Sequence, residues 1–184
     1  RGRYISKEEL ASQSIHVEQK LIGESVGSQD QISAAFGGFN QIEFLKDGSF
    51  RVNPVILRQD RKAELEGHLM LFFTGISRIA SNIAEAKIAN FDKREKELNG
   101  ISKMVGQAVE LLQSDTAINE FGGLLHETWL YKKSLSDKVS TKVVNDIYET
   151  AVESGALGGK LLGAGGGGFM LLFVPPKNQS KVKK

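Results

Sequence analysis

The sequence contains no cysteine, and only three prolines and three histidines occur among its 184 residues. Without cysteine the chain can form neither a disulfide framework nor a thiolate metal site. No apolar run approaches the roughly 20 residues that a membrane-spanning helix needs. We expect neither a membrane span nor a signal peptide. The lack of cysteine fits a reducing compartment, and we therefore expect a cytoplasmic protein.

An excess of charge of one sign is also missing. The 24 lysines and arginines are balanced by 22 aspartates and glutamates, which gives a net charge of +2. Because this balance produces no strong field, we expect no nucleic-acid or membrane partner. The basic residues cluster only in the tail, residues 177–184, which we expect to be disordered. Hydrophobic residues make up 40% and charged residues 25%, as is typical of a globular protein with a core.

The first third of the chain is patterned as a helix, a loop and a hairpin. Ser6 and Glu9 have the spacing of a capping box, and the helix that they begin ends at Gly23. Residues 39–44 and 50–57 read as two strands that are joined by a turn at residues 46–48. The charged segment that follows, residues 60–66, predicts a connection and a domain boundary.

The remainder of the chain predicts a helical block between two strands. Residues 68–74 form a compact apolar run, and residues 169–174 form a second one that Pro175 stops. Between them, apolar residues at spacings of three and four predict helices, which we place within the ranges 76–88, 101–112, 118–129 and 139–151. Strands at both ends of a helical block indicate an α+β fold. Trp129 has core spacing, and His16 lies off the apolar stripe of its helix.

Glycine, in contrast, is concentrated at one place. Eight of the fourteen residues from Gly155 to Gly168 are glycine, and the apolar strand follows immediately. The run GAGGGG formally satisfies G-x-G-x-x-G, but the dinucleotide fingerprint needs a strand before it and a helix after it. The P-loop pattern also fails, because no Gly-Lys-Ser/Thr ends the run. The glycines could form a tight turn, or a nest of backbone amides that binds an anion.

Two carboxylates raise a question of their own. Glu18 lies on the apolar stripe of the first helix, where a carboxylate is costly unless a partner compensates it. Either Glu18 lies at the edge of the stripe and reaches water, or something pairs with it. Asp30 follows in the next loop, where an aspartate commonly caps a turn.

Three segments resemble the GHMP kinase superfamily, which includes galactokinases, homoserine kinases and mevalonate kinases. KLLGAGGGGFMLLF resembles the third motif of these kinases, and VGSQDQISAAFGGFNQIEF resembles the segment that carries their active-site aspartate. The second segment, together with LFFTGISRIASNI, is most similar to the sugar-1-kinase branch. The resemblance covers essentially the whole chain.

The resemblance implies a fold of two lobes and a kinase activity. Residues 1–62 would be the end of an N-terminal α/β lobe, and residues 63–184 would be a ferredoxin-like C-terminal lobe. The enzyme would transfer the γ-phosphoryl group of ATP, with Mg²⁺, to the anomeric hydroxyl of D-glycero-D-manno-heptose 7-phosphate. A sugar or sugar phosphate would be its substrate, and a homodimer is one open assembly state.

The resemblance also assigns roles to particular residues. Asp30 matches the aspartate that orients or deprotonates the attacking hydroxyl, and Glu18 falls where galactokinase-like members place a Mg²⁺ ligand. Thr74 and Arg78 would lie near the sugar or its phosphate, although the pattern by itself favours a solvated arginine in the first turn of a helix for Arg78. The third-motif residues would line the active site and shape the phosphate-binding loop: Gly163, Ala164, Gly165, Gly166, Gly167 and Gly168.

Two motifs of the family are absent from the sequence. Neither the first motif nor the ATP phosphate loop, P-x-x-x-G-L-x-S-S, occurs in residues 1–184. We therefore expect the chain to be a fragment that is inactive by itself. Two alternatives stay open, namely a fucose- or galactose-type kinase and a non-catalytic module that binds small molecules. Arg58, Arg61 and Arg78 are unranked candidates for contacts with a phosphate on the sugar.

Overall fold

The computed structural model describes residues 2, 4–76, 88 and 91–184. These residues fall into two compact units, Arg1–Ile56 and Leu57–Lys184. The assignment of residues 1–62 and 63–184 to the two kinase lobes stays a prediction.

The first unit begins with the predicted helix. Helix α1 spans Lys7–His16, and its N-cap Ser6 accepts a hydrogen bond from the Glu9 backbone N–H at 3.0 Å, as the capping box predicts. The helix continues as a π-helical segment, Val17–Ile22, which the sequence does not predict, and it ends at Gly23 with φ 79°. His16 is exposed, as expected.

The rest of the first unit is a short helix and the predicted hairpin. Helix α2 spans Gln29–Phe36. Strands β1 (Asn40–Phe44) and β2 (Phe50–Pro54) pair in antiparallel register. Gly48, with φ 85°, adopts the left-handed conformation that lets the turn reverse the chain.

The second unit opens with a helix where the sequence predicted a connection. Helix α3 spans Gln59–His68 and buries Arg61 and Leu65. The Arg61 guanidinium donates to the Leu111 carbonyl at 3.0 Å and to the Thr116 carbonyl at 2.7 Å, and it pairs with Glu64 at 2.9 Å. The charged composition hid this helix, because an arginine rather than an apolar residue supplies much of its buried face.

Three longer helices follow, at or near the predicted positions. They are α4 (Glu95–Gln113), α5 (Asn119–Ser134) and α6 (Lys142–Glu153). Helix α6 begins after its N-cap Thr141, whose hydroxyl accepts from the Val144 N–H, so Val139 precedes the helix. The first predicted helix, residues 76–88, lies almost wholly outside the described residues.

These helices pack on a three-stranded antiparallel sheet in the order β3-β5-β4. The central strand β5 (Phe169–Phe173) pairs with β3 (Leu69–Phe73) on one side and with β4 (Gly158–Leu161) on the other. Strand β4 is not predicted by its sequence, since two of its four residues are glycine. Trp129 is fully buried in the core beside the sheet, as its spacing predicted. The α+β fold is thus confirmed.

The C-terminal tail is ordered, which contradicts the expected disorder. A 3₁₀ turn, Pro176–Asn178, leads into helix α7 (Gln179–Val182). Gln179 donates to the Gly67 carbonyl at 2.7 Å, and Val182 packs against the core. Among the residues that the structure describes, no helix is both long enough and apolar enough to cross a bilayer.

Candidate functional site

Asp30 lies in the first turn of α2, with its carboxylate exposed. The N-cap of this helix is Ser28, and no side chain caps the helix there. Asp30 therefore does not serve as the capping aspartate that a loop position suggested. Its carboxylate has no hydrogen-bond or ionic partner in the described part of the chain, and the helix N-terminus is a favourable place for a negative charge. The group is available to a ligand.

Glu18 is held by the residue that follows Asp30. The Gln31 side chain is buried, and its Nε2 donates to Glu18 Oε2. On the π-helical segment the neighbouring Gln19 donates from Nε2 to the Val26 carbonyl at 2.8 Å and to Ser28 Oγ at 3.2 Å. The segment thereby ties the first helix to the loop and to the start of α2. Glu18 thus has the partner that its position on the apolar stripe called for.

The Glu18 carboxylate has one oxygen that can coordinate Mg²⁺. One of its oxygens accepts from Gln31, while Oε1 has no hydrogen-bond partner among the described residues. The described residues contain no cluster of three or more acidic or histidine side chains that could enclose a metal. Mg²⁺ is commonly held by one or two carboxylates together with substrate phosphates and water, which is the arrangement that a single glutamate permits.

In the second unit, the glycine run forms a hairpin loop between β4 and β5. Residues 162–168 connect the two strands, and the Leu162 N–H donates to the Phe169 carbonyl at 2.8 Å across the base. Four of the glycines have positive φ, from 66° at Gly163 to 120° at Gly165. Such conformations are costly for other residues. The run is therefore neither a flexible linker nor a turn between a helix and a strand.

Two glycines of the loop allow close backbone contacts. A Cβ at Gly165 would lie 2.7 Å from the Val139 carbonyl oxygen, and one at Gly167 would lie 2.6 Å from the Ile76 carbonyl oxygen. These same carbonyls accept hydrogen bonds at 2.8 Å from the N–H groups of Gly166 and Gly168. The carbonyls of Val139 and Ile76 therefore hold the loop, and they can come this close only because the loop residues beside them lack a Cβ.

Other amides of the loop have no acceptor among the described residues. The N–H groups of Gly163, Ala164, Gly165 and Gly167 donate to no described residue. Free amides in a loop of left-handed glycines are the elements of an anion-binding nest. The loop can therefore offer several backbone donors to phosphate oxygens.

Thr74 contacts the end of this loop. Its backbone N–H and its hydroxyl both donate to the Gly168 carbonyl, at 2.9 and 2.8 Å. Thr74 thus lies beside the glycine loop, although its hydroxyl is engaged in holding the loop. The predicted contact of Thr74 with a sugar stays a prediction.

The arginines that the sequence suggested as contacts for a phosphate on the sugar differ in their surroundings. Arg61 is buried and bound to backbone carbonyls, and Arg58 pairs with Asp115 at 2.8 Å, a contact that raises the pKa of the Arg58 guanidinium. Arg78 lies outside the described residues. Arg61 is therefore a structural arginine rather than a free phosphate ligand.

Sequence reasoning missed three groups that shape the site: Gln31, Lys132 and the Val139 carbonyl. Gln31 lies about 100° further around the helix than Asp30, and its burial could have been suspected from the apolar Ile32 beside it. Lys132 donates from Nζ to the Leu161 carbonyl at the end of β4 and to the Gly163 carbonyl in the glycine loop. A carbonyl such as that of Val139 leaves no mark in a sequence.

Comparisons with known proteins agree with this description. Residues 108–184, which include α5, α6 and the glycine hairpin, match the family model described as GHMP kinases C terminal. The chain is 35% identical over 179 residues to a D-glycero-alpha-D-manno-heptose 7-phosphate kinase of Campylobacter jejuni, an alignment that covers 96% of the chain and 52% of the relative. The C-terminal part of the chain thus matches the GHMP kinase family, and the chain as a whole is similar to a heptose phosphate kinase.

Two further similarities extend over nearly the whole chain. A crystal structure of a D-glycero-D-manno-heptose 1-phosphate kinase from Bacteriodes thetaiotaomicron superposes with a TM-score of 0.73 at 27% identity, covering 98% of this chain and 48% of that one. A bifunctional fucokinase/GDP-fucose pyrophosphorylase of Arabidopsis thaliana is 27% identical over 96% of the chain and 17% of the relative. The chain spans about half the length, or less, of these relatives.

Proposed function

We propose that the protein carrying this chain is an ATP-dependent sugar kinase that phosphorylates the anomeric hydroxyl of D-glycero-D-manno-heptose 7-phosphate. The observation that carries the proposal is the set of backbone amides in the glycine hairpin that donate to no described residue. Such donors suit the charge that spreads over phosphoryl oxygens during transfer. The substrate is taken from the similarity to the Campylobacter jejuni kinase, at 35% identity.

In this proposal Asp30 accepts the proton of the attacking hydroxyl. The anomeric oxygen forms a bond to the γ-phosphorus of ATP, and the bond from that phosphorus to the β,γ-bridging oxygen breaks. The bond's electron pair leaves with ADP, and the hydroxyl proton moves to the Asp30 carboxylate and then to solvent. An exposed carboxylate that has no partner in the described part of the chain is suited to this step.

The remaining groups bind and orient. The N–H groups of Gly163, Ala164, Gly165 and Gly167 donate to phosphoryl oxygens. Thr74 holds the end of the loop that carries them. Glu18, held by Gln31, would be the protein ligand of Mg²⁺, which when bound neutralises charge on the triphosphate. Each group acts by position and charge, as phosphoryl transfer requires.

A fucose- or galactose-type kinase is the second candidate. A substrate with its own phosphate calls for additional cationic contacts, whereas Arg61 and Arg58 already have protein partners. This observation favours a free sugar. The similarity to the Arabidopsis thaliana fucokinase gives the alternative its substrate class.

The two candidates are separated by measuring kcat/KM for a panel of acceptors. The full-length natural protein would be assayed for ADP release with Mg²⁺ and ATP and with heptose 7-phosphate, free heptose, fucose or galactose. We expect heptose 7-phosphate to exceed fucose and galactose by about a hundredfold or more. A preference for a free hexose would establish the alternative, and no transfer to any acceptor would favour a non-catalytic module.

A further inference from the structure

The side chain of Lys132 contacts the backbone where strand β4 ends and the glycine loop begins. It lies in the last turn of α5, and its Nζ donates to the Leu161 carbonyl at 2.8 Å and to the Gly163 carbonyl at 2.7 Å. Leu161 is the last residue of β4, and Gly163 is the first glycine of the run. A single ammonium group therefore fixes two peptide groups where the strand gives way to the loop.

The planarity of the peptide bond turns this contact into a constraint on the amides. In a trans peptide the carbonyl of one residue and the N–H of the next point in opposite directions. Since Lys132 draws the Leu161 carbonyl to itself, the Leu162 N–H points the other way, where it donates to Phe169. By the same geometry, the contact with the Gly163 carbonyl directs the Ala164 N–H away from Lys132.

The N–H groups of Leu162 and Ala164 differ in whether they have an acceptor. The Leu162 N–H closes the hairpin, but the Ala164 N–H donates to no residue in the described ranges, and nor does that of Gly165. The middle and the exit of the loop are held by the carbonyls of Val139 and Ile76. At the start of the loop, the backbone is held by hydrogen bonds from the side chain of Lys132.

We propose that Lys132 is a positioning residue, which orients the Ala164 amide so that it donates to a phosphoryl oxygen of the ligand. The inference rests on the proposed kinase function for the identity of that ligand. The phosphoryl group belongs to ATP or to a sugar phosphate, and both present the same oxygens. Lys132 itself is directed to the loop carbonyls, so it acts through the backbone.

The experiment compares Lys132→Met, Lys132→Arg and Lys133→Met in the full-length protein. Methionine keeps much of the apolar stem and removes the donor, whereas arginine keeps a charged donor of different shape. Lys133 is the matched control, because it is the adjacent residue and carries the same charge. Its contacts are with Asn145, at 3.3 Å, and with the ring of Trp129.

Hydrogen exchange is the first measurement, because it does not depend on activity. In Lys132→Met we expect peptides covering residues 162–168 to exchange at least tenfold faster, with little change elsewhere. Inorganic pyrophosphate or ATP should protect these peptides in the wild-type protein and much less in Lys132→Met. Lys133→Met should match the wild type, and Lys132→Arg should be intermediate.

Kinetics then identify the source of the phosphate. A KM for ATP that rises at least tenfold in Lys132→Met, with the sugar KM unchanged, assigns the amide to ATP, and the reverse assigns it to the sugar phosphate. Either result supports the positioning role. If the wild-type protein transfers no phosphate, the proposed function fails, but exchange and pyrophosphate protection still test Lys132.

The inference is overturned if loop exchange and the affinity for pyrophosphate and ATP stay within twofold of the wild type in Lys132→Met. It is also overturned if Lys133→Met has the same effects. Should Lys132→Met fail to fold, the comparison of Lys132→Arg with Lys133→Met decides by the same criteria.

Discussion

Asp30, Glu18 and Gln31 show how much the surroundings of a single side chain add to its identity. Without the resemblance, the sequence favours a turn-capping role for Asp30 and leaves Glu18 either facing water or paired. In the structure, Asp30 is exposed and has no partner among the described residues, whereas Glu18 accepts a hydrogen bond from a buried glutamine. Gln31 Oε1 is itself buried and has no hydrogen-bond partner among the described residues, a costly arrangement. These contacts give the two carboxylates distinct proposed roles.

Tyr148 provides a residue-scale prediction on stability at alkaline pH. Burial raises the pKa of its phenol to about 12, while the unfolded chain has a value near 10. Between these values the unfolded chain releases the proton and the folded protein keeps it, so the free energy of unfolding decreases as pH rises from 10 to 12. We expect this group to remove on the order of 1–2 kcal/mol over that range.

The prediction is checked by urea unfolding of Tyr148→Phe at several pH values. The variant loses the contact of the Tyr148 hydroxyl with His126 Nδ1 at 2.7 Å, so it should be about 1 kcal/mol less stable at pH 8. Its stability should nevertheless fall less steeply than that of the wild type above pH 10. Tyr131→Phe is the control, and identical slopes in all three proteins would contradict the account.

Among the elements, the glycine hairpin differs most from what its sequence suggests. Strand β4 contains two adjacent glycines and has little intrinsic tendency to be extended. It forms because β5 supplies its hydrogen bonds and because helix α5 approaches it closely. A Cβ at Gly158 would lie 2.0 Å from the Gly122 carbonyl oxygen. The glycines before the loop therefore serve packing, whereas those inside it serve backbone geometry.

A pair of glycine substitutions separates these effects within the loop. Gly165 has φ 120°, which disfavours alanine, and the new Cβ of Gly165→Ala would also collide with the Val139 backbone. We therefore expect the free energy of unfolding to decrease by roughly 2–4 kcal/mol. Gly163 also has positive φ, 66°, but faces open space, so Gly163→Ala should cost about 1 kcal/mol. Urea unfolding midpoints measure both. If both variants lost the same free energy of unfolding, steric contact with Val139 would not be what requires glycine at position 165.

The limits of sequence prediction lie in particular elements. Helices α4 and α5 and strands β3 and β5 follow apolar patterns and are confirmed. Helix α3 was missed because Arg61 replaces an apolar anchor, and the tail was misjudged because long-range contacts such as that of Gln179 with Gly67 order it. For the site, the resemblance supplied Asp30, Glu18 and the loop. The contacts made by Gln31 and Lys132 depend on tertiary structure alone.

At the scale of the whole molecule, the two groups of candidate residues belong to different units. Asp30 and Glu18 lie within Arg1–Ile56, and the glycine hairpin lies within Leu57–Lys184. The family match falls in the second unit, while the similarities to sugar kinases extend over both. In the proposed reaction the proton acceptor comes from the first unit and the phosphate-binding amides come from the second.

The most direct test of the proposed reaction is the kcat of Asp30→Asn in the full-length protein, with Glu24→Gln as the control. Glu24 is an exposed carboxylate in the loop before Asp30, so its change removes the same charge from the same unit. We predict that Asp30→Asn lowers kcat by about a hundredfold or more while the sugar binds with nearly unchanged affinity, and that Glu24→Gln has little effect. A kcat for Asp30→Asn near that of the wild type would contradict the account.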